Sequence, residues 1–143
     1  MDRRHLMAGL LAAALAFVAD PSDARTKSLY DRLGGQAAIV AVVDQLVVTV
    51  EADSRISGFF SRTEPIAFKA KLVTFLCQLT GGPCKYTGLD MRSAHKGRGI
   101  KDADFAALVD DIGKSLDSLK VVKGDQRALV ALLTPLKKKV VQK

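Results

Sequence analysis

The stretch Gly81-Gly82-Pro83-Cys84-Lys85-Tyr86-Thr87-Gly88-Leu89-Asp90-Met91-Arg92-Ser93-Ala94-His95-Lys96-Gly97-Arg98-Gly99-Ile100 interrupts a chain whose other segments are patterned as helices. It is glycine-broken, basic and without regular apolar spacing. A structureless connection of about 20 residues is uncommon inside a compact domain and is often functional. It also carries His95, one of only two histidines in the chain. The other, His5, lies in a segment expected to be removed. Any imidazole chemistry in the remaining domain therefore falls to His95.

On either side, apolar residues recur at helical spacing. Ile39, Val42, Val43, Leu46, Val47 and Val50 form one stripe, and Phe68, Leu72, Phe75, Leu76 and Leu79 a second. A third runs through Phe105, Leu108, Val109, Ile112, Leu116 and Leu119, and a fourth through Leu129, Leu132, Leu133, Leu136 and Val140. Thr63, Asp102 and Asp125 stand where side chains cap helix N-termini. Gly81-Gly82 supplies a left-handed stop for the second helix. Pro135 falls inside the fourth pattern, where a kink or a lost backbone bond is expected. No strand-like alternation, repeat or linker is visible, so the expected fold class is all-α.

The first residues read differently. Met1-Asp2-Arg3-Arg4-His5 is a basic start, and Leu6 to Ala19 is a 14-residue apolar run broken only by Gly9. Asp20-Pro21-Ser22-Asp23-Ala24 ends it with small residues, the layout of a signal peptide cleaved after Ala24. The run is short for a membrane span; an uncleaved anchor is the alternative reading. Arg3-Arg4 also suits a twin-arginine signal, which exports folded proteins. The expected organisation is a leader at 1–24, one domain at 25–143, and a periplasmic location without stable membrane insertion after cleavage.

The chain carries +7, and its first 24 residues hold two arginines and three aspartates, so the remainder stands at +8. Its cations are scattered apart from Lys137-Lys138-Lys139, with few aromatics between them. That pattern is a solvated basic face and points away from nucleic acid.

A histidine with Lys96 and Arg98 beside it suits an iron porphyrin. The flat apolar body of that group needs a slot, and its two propionates need cations. Tyr30-Asp31-Arg32-Leu33-Gly34-Gly35, Phe59-Phe60, Gly81-Gly82-Pro83, Tyr86-Thr87-Gly88 and His95-Lys96-Gly97-Arg98-Gly99-Ile100 together resemble group I truncated haemoglobins. The resemblance runs from about Leu29 to Val141, with the motifs in family order. It implies a two-over-two helical sandwich holding non-covalent haem b, with the helix before the proximal histidine reduced to a loop and a short turn.

The resemblance makes His95 the proximal iron ligand and sets Phe60 against the porphyrin face. It implies that Phe68, Leu72 and Leu76 line the distal side, that Phe105 and Leu108 close the back, and that Met91 lies on the proximal side. Lys71, Lys96 and Arg98 become propionate partners. Many relatives carry a tyrosine and a glutamine where this chain reads Val47 and Leu72, with Phe68 at the other distal position. An apolar distal side is therefore expected, around five-coordinate ferrous iron that takes CO and NO readily and holds O2 weakly.

Cys77 and Cys84 fit neither a Cys-x-x-Cys redox motif nor covalent haem attachment. They are read as a disulfide across the helix-end turn of an exported protein, with two free thiols as the alternative. The function expected is binding of the diatomic gases O2, NO and CO, in NO or O2 handling or in sensing. NO dioxygenation or weak peroxidase activity would make the chain an enzyme. The alternatives are a haem redox enzyme or electron carrier served by a reductase, and a haem-free helical interaction domain.

Overall fold

The computed structural model describes residues 27–142. The leader at 1–24 and its cleavage after Ala24 lie outside the described residues. Helix α1 (Leu29–Leu33) is capped by Ser28, whose hydroxyl accepts the Asp31 N–H at 3.1 Å. It leads through Gly34 into α2 (Gly35–Ala52), which buries Ile39, Val42, Val43, Leu46, Val47 and Val50 as its stripe requires. Among the described residues α2 alone is long and apolar enough to cross a membrane; here its buried face forms the protein core.

A 3-10 turn (Ser57–Phe59) connects to α3 (Pro65–Leu79). The cap of α3 is Glu64 rather than Thr63: its carboxylate accepts the N–H groups of Ile66 and Ala67 at 3.1 and 2.6 Å. A carboxylate reaches two orphan amides at once and complements the positive helix end. Pro65 takes the first helical position, where its missing N–H costs nothing.

Helix α4 (Met91–His95) is followed by α5 (Asp102–Ser118) and α6 (Lys123–Leu133). The expected caps Asp102 and Asp125 both lie inside their helices. Asp102 opens α5 and pairs with Lys137 at 2.8 Å, while Asp104 accepts the Lys101 N–H at 2.8 Å. Asp125 sits in the first turn of α6 and pairs with Arg32 at 2.8 Å. At Pro135 the fourth pattern tightens into a 3-10 turn (Thr134–Leu136) before resuming as α7 (Lys137–Val140). Proline cannot donate the helical bond required there.

Helices α2 and α3 pack together, α2 crosses α5, and α5 meets α6 and α7, giving an all-α two-over-two sandwich. Helix α4 rests on α7, while α1 rests on α2 and α6. Ile39, Val43, Leu116 and Leu129 are essentially excluded from solvent. Leu119 and Leu132 are each 37 % exposed, although both belong to apolar stripes. Leu119 lies past the last turn of α5. Leu132 and Leu133 are about 100° apart on the helix, so both cannot face inward; Leu133 takes the inner position.

One carboxylate of an ionic cluster is buried in this frame, its cationic partners reaching it from the surface. Asp111 is fully enclosed on α5, with Lys114 Nζ at 3.4 Å and Arg55 at 3.8 Å from its Oδ1. Its Oδ2 has no partner. Burial pushes the Asp111 carboxyl above its ordinary pKa, the neighbouring Asp53 adding to the effect and Lys114 opposing it.

Candidate functional site

The helices enclose a cavity of about 490 Å³, within the size range of cofactor and small-molecule sites. Val42, Leu46 and Val50 line it from α2 at spacings of four. Helix α3 supplies Phe68, Lys71, Leu72, Phe75 and Leu76, and α5 supplies Phe105, Leu108, Val109 and Ile112. Leu129 and Leu133 come from α6, and Met91, Ala94 and His95 from α4. Phe60 and Phe68 pack as a tilted pair, with ring centroids 5.7 Å apart.

The long connection is pinned on its way to His95. Cys77 and Cys84 form a disulfide, closing the turn after α3. Gly82 is required within that turn: a Cβ there would lie 2.5 Å from the Tyr30 ring and 2.7 Å from Cys77 Sγ. Beyond it, the Tyr86 N–H donates to Gln78 Oε1 at 2.7 Å and the Tyr86 hydroxyl donates to the Leu89 carbonyl at 2.7 Å. The Tyr86 ring meets Phe75 edge-on at 5.4 Å. Asp90 then caps α4, accepting the Ser93 N–H at 3.1 Å and the Ser93 hydroxyl at 2.7 Å. Those bonds hold the Asp90 carboxyl below the usual carboxylate range.

His95 ends this five-residue helix and is half-buried at the cavity wall. Its Nδ1 lies 2.7 Å from the Met91 carbonyl oxygen. A carbonyl only accepts, so Nδ1 carries the proton and Nε2 keeps the free electron pair. Gly97 (φ +76°) and Gly99 (φ +67°) turn the chain back in left-handed conformations that favour glycine. Ile100 is buried immediately afterwards.

Phe60, Phe68, Lys71, Leu72, Met91, Arg98 and Phe105 all line the cavity with His95, as do Leu76 and Leu108. Lys96 does not; it is exposed beyond the end of α4. Val47 is buried but off the cavity wall, and Leu46 stands at the wall instead. Val42, Leu46 and Val50 share one arc of α2, but Ile39, Val43 and Val47 form an equally apolar arc beside it, so spacing alone does not mark which one faces the cavity. Tyr86 and Leu89, also lining residues, come from an irregular segment with no periodicity to mark them.

The wall is overwhelmingly apolar. The Ser115 hydroxyl is taken up by the Asp111 carbonyl at 2.7 Å and Thr49 Oγ1 at 3.0 Å. The Tyr86 hydroxyl is spent on Leu89. Arg98 reaches the Phe59 carbonyl at 3.4 Å from the lining, and Lys71 is an exposed lining cation.

Among the described residues no group of three or more His, Cys, Asp or Glu side chains could hold a metal unaided. A metal at His95 must therefore bring its remaining ligands. A flat apolar macrocycle with its own equatorial nitrogens and two carboxylates matches the cavity, the single imidazole and the bordering cations.

An all-helical sandwich around an apolar slot with one available imidazole is the arrangement of a globin. Residues 28–142 match the family model for bacterial-like globins. The group 1 truncated hemoglobin GlbN of Mycolicibacterium paratuberculosis is 35 % identical over 113 residues, covering 79 % of this chain and 83 % of that protein. The group 1 truncated hemoglobin LI410 of Chlamydomonas moewusii is 35 % identical over 132 residues, covering 91 % and 77 %. In the solved structures, truncated hemoglobin from Tetrahymena pyriformis in the Fe(III) form superimposes with a TM-score of 0.79 at 29 % identity, covering 82 % of this chain and all of that one. The chain belongs to the group 1 truncated haemoglobin family. Its cofactor is haem iron, and its ligands are small gases such as O2.

Proposed function

We propose that this chain is an exported haem b protein that binds O2, CO and NO at five-coordinate iron, in NO or O2 handling or in sensing. His95 coordinates the iron through Nε2, the nitrogen left free by the Nδ1–Met91 hydrogen bond. Phe60, Phe68, Leu72, Met91 and Phe105 pack on the macrocycle, and Lys71 and Arg98 meet its propionates. Lys96 joins them from the exposed end of α4. Haem supplies an iron centre open to diatomic gases. Attachment is non-covalent; with both cysteines in the disulfide, neither is free for a thioether link.

The observation that carries this reading is the contrast between the single imidazole at α4 and the lining side chains of α2 and α3, which are apolar except for the exposed Lys71. A donor to a partly charged gas ligand is worth about 1.5–3 kcal/mol. Without one, O2 leaves about one to two orders of magnitude faster than from a strongly hydrogen-bonded globin, while CO and NO are little affected. Of the acid–base groups at the lining, the Glu64 and Asp104 carboxylates are engaged at helix N-termini, accepting the Ile66, Ala67 and Lys101 N–H groups, which favours gas binding over O–O cleavage or reductase-driven turnover. Flash photolysis tests this: fast O2 release is expected, and slow release like that of a hydrogen-bonded globin contradicts the proposal.

Export rests on the basic start, the apolar run ending before Ala24, and a disulfide of the kind that persists in oxidising compartments. Periplasmic fractionation of the tagged full chain, with loss of residues 1–24 read by mass, tests it.

A further inference from the structure

Gln142 lies 47 positions after His95, yet it fastens the segment that carries the imidazole. Its side-chain amide donates from Nε2 to the His95 carbonyl oxygen. Its Oε1 accepts the Gly99 N–H at 3.2 Å. Its own backbone N–H donates to the Ile100 carbonyl at 2.9 Å. One residue thus satisfies three backbone groups within residues 95–100, the turn that leaves α4 by two left-handed glycines. The pairing is chemically directional: the amide oxygen meets a donor and the amide nitrogen meets an acceptor. Nearby, Val140 packs with Ile100 and Phe105, which brings α7 against the same turn.

Besides Gln142, the turn is held by Arg98, whose backbone N–H donates to the same His95 carbonyl at 3.2 Å and whose guanidinium reaches the Phe59 carbonyl at 3.4 Å. Helix α4 is five residues long, too short to be stable alone, and Lys96, Gly97, Arg98 and Gly99 are all exposed. The Met91 carbonyl sets the tautomer of the ring, and the Met91 side chain packs with Ile100, Phe105 and Val140. Among the described residues, the only long-range donor to the His95 carbonyl at the end of the helix is Gln142. We propose that Gln142 is a positioning residue for the haem ligand, a clamp from the C-terminal segment that fixes the backbone of His95. The proposal rests on the assignment of His95 as the iron ligand. Groups beyond the ligand that orient it are commonly worth 10–100-fold in metal affinity.

The test uses the full chain loaded with haem, comparing wild type, Q142A, Q142E and H95A. The rate of haem transfer to an apomyoglobin acceptor is measured, together with the iron–histidine stretching band of the ferrous protein and melting of the haem-free form. Q142A should release haem about tenfold faster or more and shift or broaden the band, with haem-free melting unchanged. Q142E keeps the length and the acceptor for Gly99 but sets a carboxylate against the His95 carbonyl, so its loss should be at least as large. Wild-type haem loss and an unaltered band in both Gln142 variants would overturn the clamp. If haem-free melting falls in step with haem loss, the role is general stability and the clamp is again overturned. An iron–histidine band that persists in H95A would instead overturn the ligand assignment itself.

Discussion

The Nδ1 of His95 lies 2.7 Å from the carbonyl oxygen of Met91, one helical turn back, in a helix just long enough to make that bond. The acceptor is main chain, so the bond depends on the helix holding its shape and not on the methionine side chain. Asp90 starts that helix by accepting from Ser93. Asp90→Ala should therefore fray α4 and speed haem loss a few-fold, as expected for loss of an N-cap, and Asp90→Ser should restore most of it. The Asp90 carboxyl is held below its ordinary value by Ser93, so its contribution is present above the unfolded carboxylate pKa and is lost as pH falls through the lower folded one. Haem release measured against pH should show a smaller acid-side rise in the alanine variant than in wild type.

The apolar wall of α3 makes a second expectation. Leu72→Gln places an amide at the cavity wall, and the O2 off-rate should fall about ten- to a hundredfold, the worth of a hydrogen bond to a partly charged ligand. CO release should change far less. Equal effects on both gases would show that the substitution altered access to the cavity.

The Cys77–Cys84 bridge closes a loop over the turn between α3 and the connection that leads to His95. Reducing it should lower the unfolding free energy by about 2–3 kcal/mol, the loop-closure value for a ring this small. Urea unfolding with and without reductant checks this. Because Tyr86 and Leu89 follow the bridge closely and line the cavity, haem loss should rise on reduction as well.

Asp111 is a buried carboxylate with one oxygen unpartnered. Its pKa is raised by burial, so the folded state holds its proton more tightly than the unfolded chain does. That stabilises the fold below the unfolded carboxylate pKa, and the benefit is lost as pH rises through the higher folded one. Asp111→Asn should melt higher than wild type at neutral pH, with the gain shrinking toward acid pH. A variant that melts lower at every pH would show that the ion pairs with Lys114 and Arg55 outweigh the burial cost.

Helical periodicity was legible because each long helix buries one arc, and the proline and glycine positions marked where the arcs stop. Within the arcs, resolution ran out. Leu46 and Val47 are both buried on α2, and only packing decides that Leu46 meets the cavity. Thr63 and Glu64 are both competent caps; reach and charge favour the carboxylate. His95 stood out because no other imidazole remained for the domain, whereas Tyr86, Leu89 and Gln142 occupy irregular backbone where spacing carries no information. The contact between Gln142 and His95 joins residues 47 positions apart, from the C-terminal segment to the end of α4, and no local pattern encodes it.

The absorption spectrum of the domain from Arg25 onward, reconstituted with haem and compared with His95→Ala, tests the central claim most directly. The account predicts stoichiometric haem uptake, a sharp Soret band and a five-coordinate ferrous spectrum, all lost or greatly altered in the alanine variant. An unchanged spectrum in His95→Ala, or no stoichiometric uptake by the wild-type domain, would contradict it.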